Sequence, residues 1–399
     1  MSSPDDDKQS ASPRIETALV TAGRDTRAQR GFVNPPVVHG STVLYPTADD
    51  LHAHRGEFQY GRHGTPTTKA LQEALMALEG PQCAGVGIAP SGLAAITTAL
   101  LAVLKSGDHL LVCDNVYRPS RNFCNGLLAR YGVETTYFDP LVGANIVDQF
   151  KPNTKAVLVE APGSQSFEMP DIRAIASVAQ ARGALVIDDN TWATPLYHRS
   201  LEQGVDISIQ AATKYIGGHS DIMFGTISAN AKAWPMISES IRLLGVCAGP
   251  DDVFLAIRGL RTLAVRLAHH HRSGLEMARW LEARPEVARV LHPALESHPG
   301  HSIWKRDFTG ASGLFSVVLK PAPQAALDAL LDSLELFGMG YSWGGFESLI
   351  IPFDCSQYRT ATEWAPGGPT VRLHIGLENV EDLKADLISG FKTFNEARG

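Results

Sequence analysis

Hydrophobic positions in the central part of the chain, from about residue 66 to residue 227, follow two alternating patterns. Leucines recur on one helical face in 69–80, and small apolar residues follow a serine in 91–108, so both segments are predicted to be helices. Short apolar runs come between such segments, and most lack polar alternation, which predicts strands buried on both faces. These runs are 109–113, 134–139, 156–160, 184–189, 206–210 and 224–229. The alternation predicts an α/β domain with right-handed crossovers.

The remaining segments predict a smaller domain and a tail. A long helical region at about 251–283 precedes a mixture of β-like and helical segments, which is typical of an α+β domain. Residues 1–16 are polar and acidic, and we interpret them as a disordered tail that is neither a secretory signal nor a transit peptide. No apolar run reaches the roughly 20 residues that span a bilayer, so no membrane attachment is expected.

Composition narrows the class of protein. A length of 399 residues allows two domains, and contents of 44% hydrophobic and 19% charged residues are typical of a globular protein. The formal charge of -7 and the lack of a basic stripe argue against nucleic-acid binding. Five scattered cysteines without a CxxC spacing indicate neither disulfides nor structural zinc, so a cytoplasmic location is expected.

Polar signals follow several of the predicted strands, and in a parallel sheet such positions meet in one cleft. Ser91, Gly92 and Leu93 form a predicted helix start, where free N–H groups and the helix dipole favour a phosphate. Taken alone, a Ser-Gly helix start is more often a simple cap. The preceding run 85–90 has a proline where the third glycine of a dinucleotide fingerprint belongs, so that motif fails.

Two further signals are charged. Asp188 and Asp189 end a buried run and precede Asn190. A carboxylate there can hold a protonated ring nitrogen, a metal or a ribose hydroxyl, or it can form a turn with the asparagine. Lys214 ends the next run, where a desolvated lysine can lose its proton and form a Schiff base with a carbonyl, or else extend its amine into solvent.

The three signals together match what pyridoxal phosphate requires. The cofactor has a phosphate to anchor, a pyridine nitrogen to keep protonated and an aldehyde to trap. The histidine triplet 269–271 is a weaker candidate, because adjacent helical positions point to different faces. We expect the triplet at the surface, with metal binding as the alternative, and we predict no metal site.

Several ordered motifs resemble those of the Cys/Met-metabolism (transsulfuration) class of pyridoxal-phosphate enzymes, fold type I, and most closely its bacterial β-lyase branch. The resemblance extends from about residue 16 onward. The motifs are "YGRHGTPTTKALQ" (60–72), "APSGLAAI" (89–96), "DNVYRP" (114–119), "IDDNTWATP" (187–195), "QAATKYIGGHSD" (210–221), "GMGYSWGGFESL" (338–349) and "RLHIGLE" (372–378). The resemblance implies a large domain with a mostly parallel seven-stranded sheet and a smaller C-terminal α+β domain.

The same resemblance implies how the chain is divided and assembled. It implies a tail and arm at 1–62 that reaches the neighbouring subunit, a cofactor-binding α/β domain at 63–258 and a C-terminal α+β domain at 259–399. The family usually forms tetramers, so a homotetramer built as a dimer of dimers is expected.

Site residues are implied one by one. Lys214 is implied to bind the cofactor covalently and to move the substrate's Cα proton. Asp189 is implied to keep the pyridine nitrogen protonated, and Tyr117 to stack on the ring. The other implied cofactor contacts are Gly92, Leu93, Thr213 and, in the neighbouring subunit's site, Tyr60 and Arg62. Arg372 is implied to bind the substrate carboxylate, and Tyr341, Ser342 and Trp343 to line the same region, with Ser342 close to that carboxylate.

The implied reaction is the α,β-elimination of L-cystathionine to homocysteine, pyruvate and ammonia, one step before methionine. Lys214 or Tyr117 is the implied acid for the leaving thiol. Two features point to the β-lyase branch: Ala211, where many relatives have serine, and Trp343, where γ-acting relatives typically have leucine. A γ-synthase, γ-lyase or sulfhydrylase is the alternative, and cystine or other cysteine S-conjugates are alternative substrates. A cofactor-free regulator is disfavoured, because the lysine, aspartate and arginine are all present.

Overall fold

The computed structural model describes residues 13–399. Residues 1–12, which belong to the predicted tail, lie outside the described residues. The strands are β1 Gly85–Ala89, β2 His109–Cys113, β3 Glu134–Phe138, β4 Thr154–Glu160, β5 Leu185–Asp189, β6 Ile207–Gln210, β7 Gly225–Ala229, β8 Val287–Leu291, β9 Leu314–Leu319, β10 Leu349–Pro352 and β11 Thr370–His374. The α-helices are α1 Ile15–Thr21, α2 Ala48–His52, α3 Pro66–Glu79, α4 Gly92–Val103, α5 Arg118–Phe123, α6 Ile172–Ala181, α7 Thr194–Tyr197, α8 Trp234–Leu244, α9 Pro250–Glu282, α10 His301–Asp307, α11 Gln324–Asp332 and α12 Val380–Arg398.

The larger sheet has seven strands in the order β1-β7-β6-β5-β4-β2-β3. The five strands from β6 to β3 pair in parallel, whereas β7 is antiparallel to both β6 and β1. Every residue of β1, β2, β5, β6 and β7 is buried, as expected for a sheet covered by helices on both faces. This confirms the predicted fold class. The run 85–90, which fails as a dinucleotide motif, contains the edge strand β1.

A second sheet of four antiparallel strands, in the order β10-β11-β9-β8, forms the core of the C-terminal region with α11 and α12. The 33-residue helix α9 joins the two cores: Val253 and Leu260 pack in the first, and Met277 and Leu281 in the second. The predicted domain boundary between residues 258 and 259 falls within this continuous helix and stays a prediction. Among residues 13–399, no helix combines the length and apolarity needed to cross a membrane.

The histidine triplet corrects one expectation. The prediction placed 269–271 at the surface, but His270 is completely buried and its Nδ1 lies 2.8 Å from the carbonyl oxygen of Ile375. The physical reason is that α9 packs against both cores, so its inner face is not available to solvent. Within the described part of the chain, no group of three or more His, Cys, Asp or Glu side chains could hold a metal ion.

Candidate active site

A cavity of about 390 Å³ lies where β4, β5 and β6 end, between the two sheets. It is lined by ten of the predicted site residues: Gly92, Leu93, Tyr117, Asp189, Thr213, Lys214, Tyr341, Ser342, Trp343 and Arg372. Tyr60 and Arg62 do not line it; the Arg62 guanidinium instead donates to the carbonyl of Arg242, at 2.9 Å. A larger cleft of about 660 Å³ around Trp304 contains none of the predicted residues. The predicted site residues are therefore concentrated in the cavity of about 390 Å³.

Lys214 lies in the turn that follows β6 and extends its amine into this cavity. Burial, followed by the positive charge of Arg372, lowers the pKa of the amine, and Asp189 partly opposes both, so that the pKa is about 8. The amine donates a hydrogen bond to the Ser342 hydroxyl at 2.8 Å. The buried Arg266 side chain donates to the carbonyl of Tyr215 at 2.8 Å and so fixes the turn. A lysine in these surroundings is neutral in about a tenth of the molecules at pH 7, far more than a lysine of ordinary pKa.

Asp189, the last residue of β5, turns its carboxyl group towards the same cavity. Its Oδ1 accepts hydrogen bonds from the Thr191 N–H at 3.2 Å and from the Thr191 hydroxyl at 2.5 Å. Burial raises the pKa of Asp189, and the bonds from Thr191 and the charge of Lys214 counteract that rise. Of the two adjacent aspartates, Asp189 and not Asp188 therefore lines the cavity.

The start of α4 forms one wall of the cavity. Ser91 caps the helix by accepting the N–H of Ala94 at 3.1 Å. The N–H groups of Gly92 and Leu93 have no acceptor among residues 13–399, as is usual in a first helical turn, and such groups favour an anion. A Cβ on Gly92 would lie 2.5 Å from the Cβ of Ala211, so only glycine allows this close approach.

Thr213 is placed differently from what its predicted role requires. Its hydroxyl donates to the carbonyl of Phe224 at 3.1 Å and accepts the Phe224 N–H at 2.9 Å. The hydroxyl proton is therefore used within the protein, and a phosphate bond would require it to rotate. The phosphate contact of Thr213 stays a prediction.

Tyr117 lies in the turn between β2 and α5, with 44% of its surface exposed. Its N–H donates to Glu160 Oε2 at 2.6 Å. Burial, followed by the nearby carboxyl groups of Asp189 and Glu160, raises the pKa of the phenol, so the hydroxyl remains protonated at neutral pH. Its ring is one side of the cavity and is available for stacking.

Arg372, in the middle of β11, is 7% exposed. One guanidinium nitrogen, Nη2, donates to the carbonyls of Tyr341 at 2.8 Å and Ser342 at 3.2 Å. The other two nitrogens have no hydrogen-bond partner in the described part of the chain and are available for a carboxylate. Burial lowers the pKa of Arg372 to about 10, which leaves it charged at neutral pH. The Ser342 hydroxyl accepts a hydrogen bond from Lys214, and its predicted contact with the substrate carboxylate or its surroundings stays a prediction.

Two residues that the sequence analysis missed belong to the same cavity. Glu160 ends β4 and pairs in register with Asp189, and burial followed by the charge of Asp189 raises its pKa well above the ordinary value. Thr191 fixes Asp189 as described and accepts the Ala211 N–H at 2.8 Å. The signal for Glu160 was present, because it ends a buried run as Asp189 does.

The donor set fits pyridoxal phosphate. An uncapped pair of helical N–H groups, a cavity-facing carboxyl group, a lysine of lowered pKa and an aromatic ring suit the phosphate, the ring nitrogen, the aldehyde and the ring face, respectively. Glycine at position 92 allows the start of α4 to lie close to Ala211, another residue of the cavity wall. The two free nitrogens of Arg372 are left for a second ligand that carries a carboxylate.

Comparisons with known proteins agree with this chemistry. A family model described as "Cys/Met metabolism PLP-dependent enzyme" matches residues 16–392. The chain is 47% identical to the cystathionine beta-lyase of Salmonella typhimurium, with 95% of this chain and 98% of that protein covered. It is 45% identical to the cystathionine beta-lyase MetC of Escherichia coli, with 96% and 99% covered. The crystal structure of cystathionine gamma synthase from Xanthomonas oryzae pv. oryzae in complex with aminoacrylate and cysteine has a TM-score of 0.89 at 32% identity, covering 97% of this chain and 100% of that one.

Proposed function

The chain belongs to the Cys/Met metabolism PLP-dependent enzymes, and on this premise we propose that it cleaves L-cystathionine by α,β-elimination to homocysteine, pyruvate and ammonia. It is a carbon–sulfur lyase with pyridoxal 5′-phosphate as its cofactor. The observation that carries the proposal is the meeting of Lys214 and Arg372 in one cavity, because an amine of lowered pKa and a free guanidinium fork suit an amino-acid substrate.

The cofactor would be held by residues at the start of α4, at the end of β5 and in the turns that follow β2 and β6. Lys214 binds it covalently through Nζ, and the N–H groups of Gly92 and Leu93 receive its phosphate. Asp189 keeps the ring nitrogen protonated by its negative charge, since an adjacent carboxylate favours the charged form of a base. Tyr117 covers one face of the ring.

The substrate is oriented by its carboxylate. The Arg372 guanidinium binds the carboxylate through nitrogens that have no partner within residues 13–399, which fixes the Cα–H bond relative to Lys214. The substrate's amine would first displace Lys214 Nζ from the cofactor, and the released Nζ, with a pKa of about 8, would then remove the Cα proton. The Ser342 hydroxyl orients this amine by accepting its hydrogen bond. Trp343, whose ring centre lies 5.3 Å from Nζ, bounds the side where the substrate chain lies.

Pyridoxal phosphate, when bound, takes up the electron pair of the broken Cα–H bond and so allows the Cβ–S bond to break. The leaving sulfur receives a proton, either from Lys214 Nζ, which has just gained one, or from the Tyr117 hydroxyl, whose raised pKa keeps it protonated. Homocysteine leaves first. The remaining three carbons leave as aminoacrylate, which water converts to pyruvate and ammonia.

We also propose that two copies of the chain share each site and that dimers pair into tetramers. The arm before α3 exposes large apolar side chains, with Phe32 74% and Leu44 86% exposed, which suits burial against a second copy. Tyr60 and Arg62 lie outside their own cavity and, in this proposal, complete that of the neighbour. A cytoplasmic location is supported by the five free thiols.

A γ-acting function is the second candidate, because a cystathionine gamma synthase has nearly the same fold. Incubation of the purified holoenzyme with L-cystathionine separates the two by the keto acid that forms. We expect pyruvate with homocysteine; 2-oxobutyrate with cysteine would contradict β-cleavage. The Lys214→Ala variant is the control for adventitious turnover, and it should form neither keto acid.

A further inference from the structure

The segment that leads to Arg372 is attached to the opposite wall of the cavity. Residues 354–369, here called the strap, connect β10 to β11 without regular secondary structure. The strap joins two strands of the smaller sheet. It is nevertheless hydrogen-bonded at two places to residues that follow strands of the larger sheet. Neither attachment includes a residue that lines the cavity directly. Its role is therefore not explained by direct substrate or cofactor binding.

The first attachment is the carboxylate of Asp114, which is completely buried. Its Oδ2 accepts the N–H of Ala361 at 3.0 Å, the N–H of Thr362 at 2.8 Å and the Thr362 hydroxyl at 2.8 Å. Its Oδ1 accepts the Thr360 N–H at 3.2 Å and the guanidinium of Arg121, with which it forms an ion pair. A buried charge is tolerated only with such a full set of donors. Asp114 thus holds three successive strap residues.

The second attachment is the ion pair between Arg359 and Glu168. The guanidinium donates to both carboxylate oxygens, at 2.7 and 2.9 Å, and also to the Ser166 hydroxyl. The neighbouring Tyr358 hydroxyl donates to Gln165 Oε1 at 2.9 Å. Two parallel bonds fix the direction of the arginine as well as its position. The strap is therefore held on the loop after β4, whose residues 162–164 and 167 line the cavity.

These attachments connect the segment that contains Tyr117 to the segment that leads to Arg372. Asp114 lies three residues before Tyr117, in the turn after β2. Thr362 lies ten residues before Arg372, which is in the middle of β11. Arg121, in the helix that follows Tyr117, is buried and lies 3.6 Å from the centre of the Tyr137 ring, so the large-domain end of this connection is itself rigid. A shift of the strap would change the separation between the Tyr117 ring and the Arg372 guanidinium.

We propose that Asp114 and Thr362 are positioning residues that set the distance between the carboxylate-binding Arg372 and the cofactor-covering Tyr117. The inference rests on the proposed function in one respect only, namely that an amino-acid ligand is bound by Arg372 at a cofactor held beside Tyr117. Geometry of this kind is valuable to an enzyme, because a misplacement of about 1 Å can reduce the rate by about 100-fold. Hydrogen bonds to a buried carboxylate are the means by which the strap is held in register.

The test compares two ligands, one with a charged carboxylate and one in which a methyl group neutralises it as an ester. L-alanine can engage Arg372 through its carboxylate, whereas L-alanine methyl ester cannot form the charged pair. The half-saturating concentration of each is measured with the holoenzyme from the change in the cofactor's absorbance. This readout needs no elimination, so it remains valid if the keto-acid assay contradicts the proposed substrate. The unmodified enzyme must first bind the acid more tightly than the ester.

The principal variant is Thr362→Val, which removes the hydroxyl but keeps the β-branched shape and the backbone N–H. We expect about a fivefold weaker binding of L-alanine and an unchanged affinity for the ester. Asp114→Asn should have a larger effect in the same direction, about 20-fold, because its amide places N–H groups against backbone donors. Thr393→Val is the matched control, since its hydroxyl donates only to the carbonyl of Ser389 in its own helix. The control should bind both ligands as the unmodified enzyme does.

Each outcome decides the proposal. A selective loss for L-alanine supports it. Equal losses for acid and ester, or no loss for either with only a lower melting temperature, would show that the strap merely stabilises the fold and would overturn it. If Asp114→Asn does not fold, Thr362→Val alone carries the decision.

Discussion

Asp188 and Asp189 are adjacent in β5 but have opposite surroundings. Asp189 faces the cavity, where Thr191 donates two hydrogen bonds to it and Lys214 supplies a nearby positive charge. Asp188 points to the other face of the sheet and is fully buried, and neither of its oxygens has a hydrogen-bond partner within residues 13–399. The same chemical group thus occupies a functional region on one face and a sealed polar region on the other.

Burial favours the protonated form of the carboxyl groups in the sealed region. Asp188 is the cross-strand neighbour of Ser208, whose hydroxyl donates to Glu79 Oε1 at 3.1 Å. Burial raises the pKa of Asp188 well above its ordinary value and that of Glu79 to about 7. Successive residues of a strand point to opposite faces, so one position in the sequence separates the two behaviours. The comparison teaches that a strand-end carboxyl group is functional only on the face where donors and cations surround it.

The strongest way to break this comparison is to neutralise each aspartate separately. We expect Asp189→Asn to reduce the turnover of L-cystathionine at least about 100-fold, because a neutral amide cannot keep a ring nitrogen protonated. Asp188→Asn, the matched control one residue away, should change turnover less than about twofold, because it removes a group that is already protonated. Pyruvate formation by the two purified holoenzymes is the measurement. Comparable losses in both variants would contradict the assignment of Asp189 to the ring nitrogen.

This pair also shows where prediction from the sequence succeeded and where it stopped. The α/β alternation and the strands β2 to β7 were predictable, because apolar runs of strand length without alternation indicate burial on both faces. The edge strand β1 was not predicted from the pattern, and the number of seven strands came from the family resemblance. The pattern placed Asp188 and Asp189 equally at the end of a run, and only family resemblance selected Asp189. Which face of a strand meets a cavity depends on the neighbouring strands and helices, and no local pattern encodes it.

Other differences have the same cause. The triplet 269–271 was expected at the surface because adjacent helical positions point to different faces, but α9 packs against both cores and buries His270. The hydrogen bond from Lys214 to the Ser342 hydroxyl was not predicted, because the two residues lie 128 positions apart in sequence. The strap was not predicted at all, since its bonds to Asp114 span 246–248 residues. Contacts of this kind arise from tertiary packing and leave no periodic signal.

A second prediction concerns the effect of the Asp189 charge on the pKa of Lys214. Because the pKa of Lys214 is about 8, the apoenzyme should capture pyridoxal phosphate about tenfold faster at pH 9 than at pH 7, and the rate should level off above that range. A lysine of ordinary pKa would give a rate that still rises steeply at pH 9. Asp189 raises the pKa of Lys214, so Asp189→Asn should shift the profile to lower pH, and Asp188→Asn should leave it in place. Stopped-flow absorbance at several pH values is the measurement, and identical shifts in both variants would contradict the comparison.

The smallest expected effect concerns the sealed region around Asp188 and is an effect on protein stability. The pKa of Glu79 is raised from 4.5 to about 7 in the folded protein, so the folded state binds a proton more tightly than the unfolded chain. Its contribution to stability is therefore complete below about pH 4.5 and is lost as the pH rises through about 7. Glu79→Gln cannot ionise and should gain about 2 kcal/mol relative to the unmodified holoenzyme between pH 5 and pH 8, as measured by urea unfolding. Glu73→Gln is the control in the same helix, because that side chain is 51% exposed and should show no such gain. Equal responses of Glu73→Gln and Glu79→Gln would show that Glu79 is not protonated by burial. The contrast between Asp188 and Asp189 would then be one of position alone.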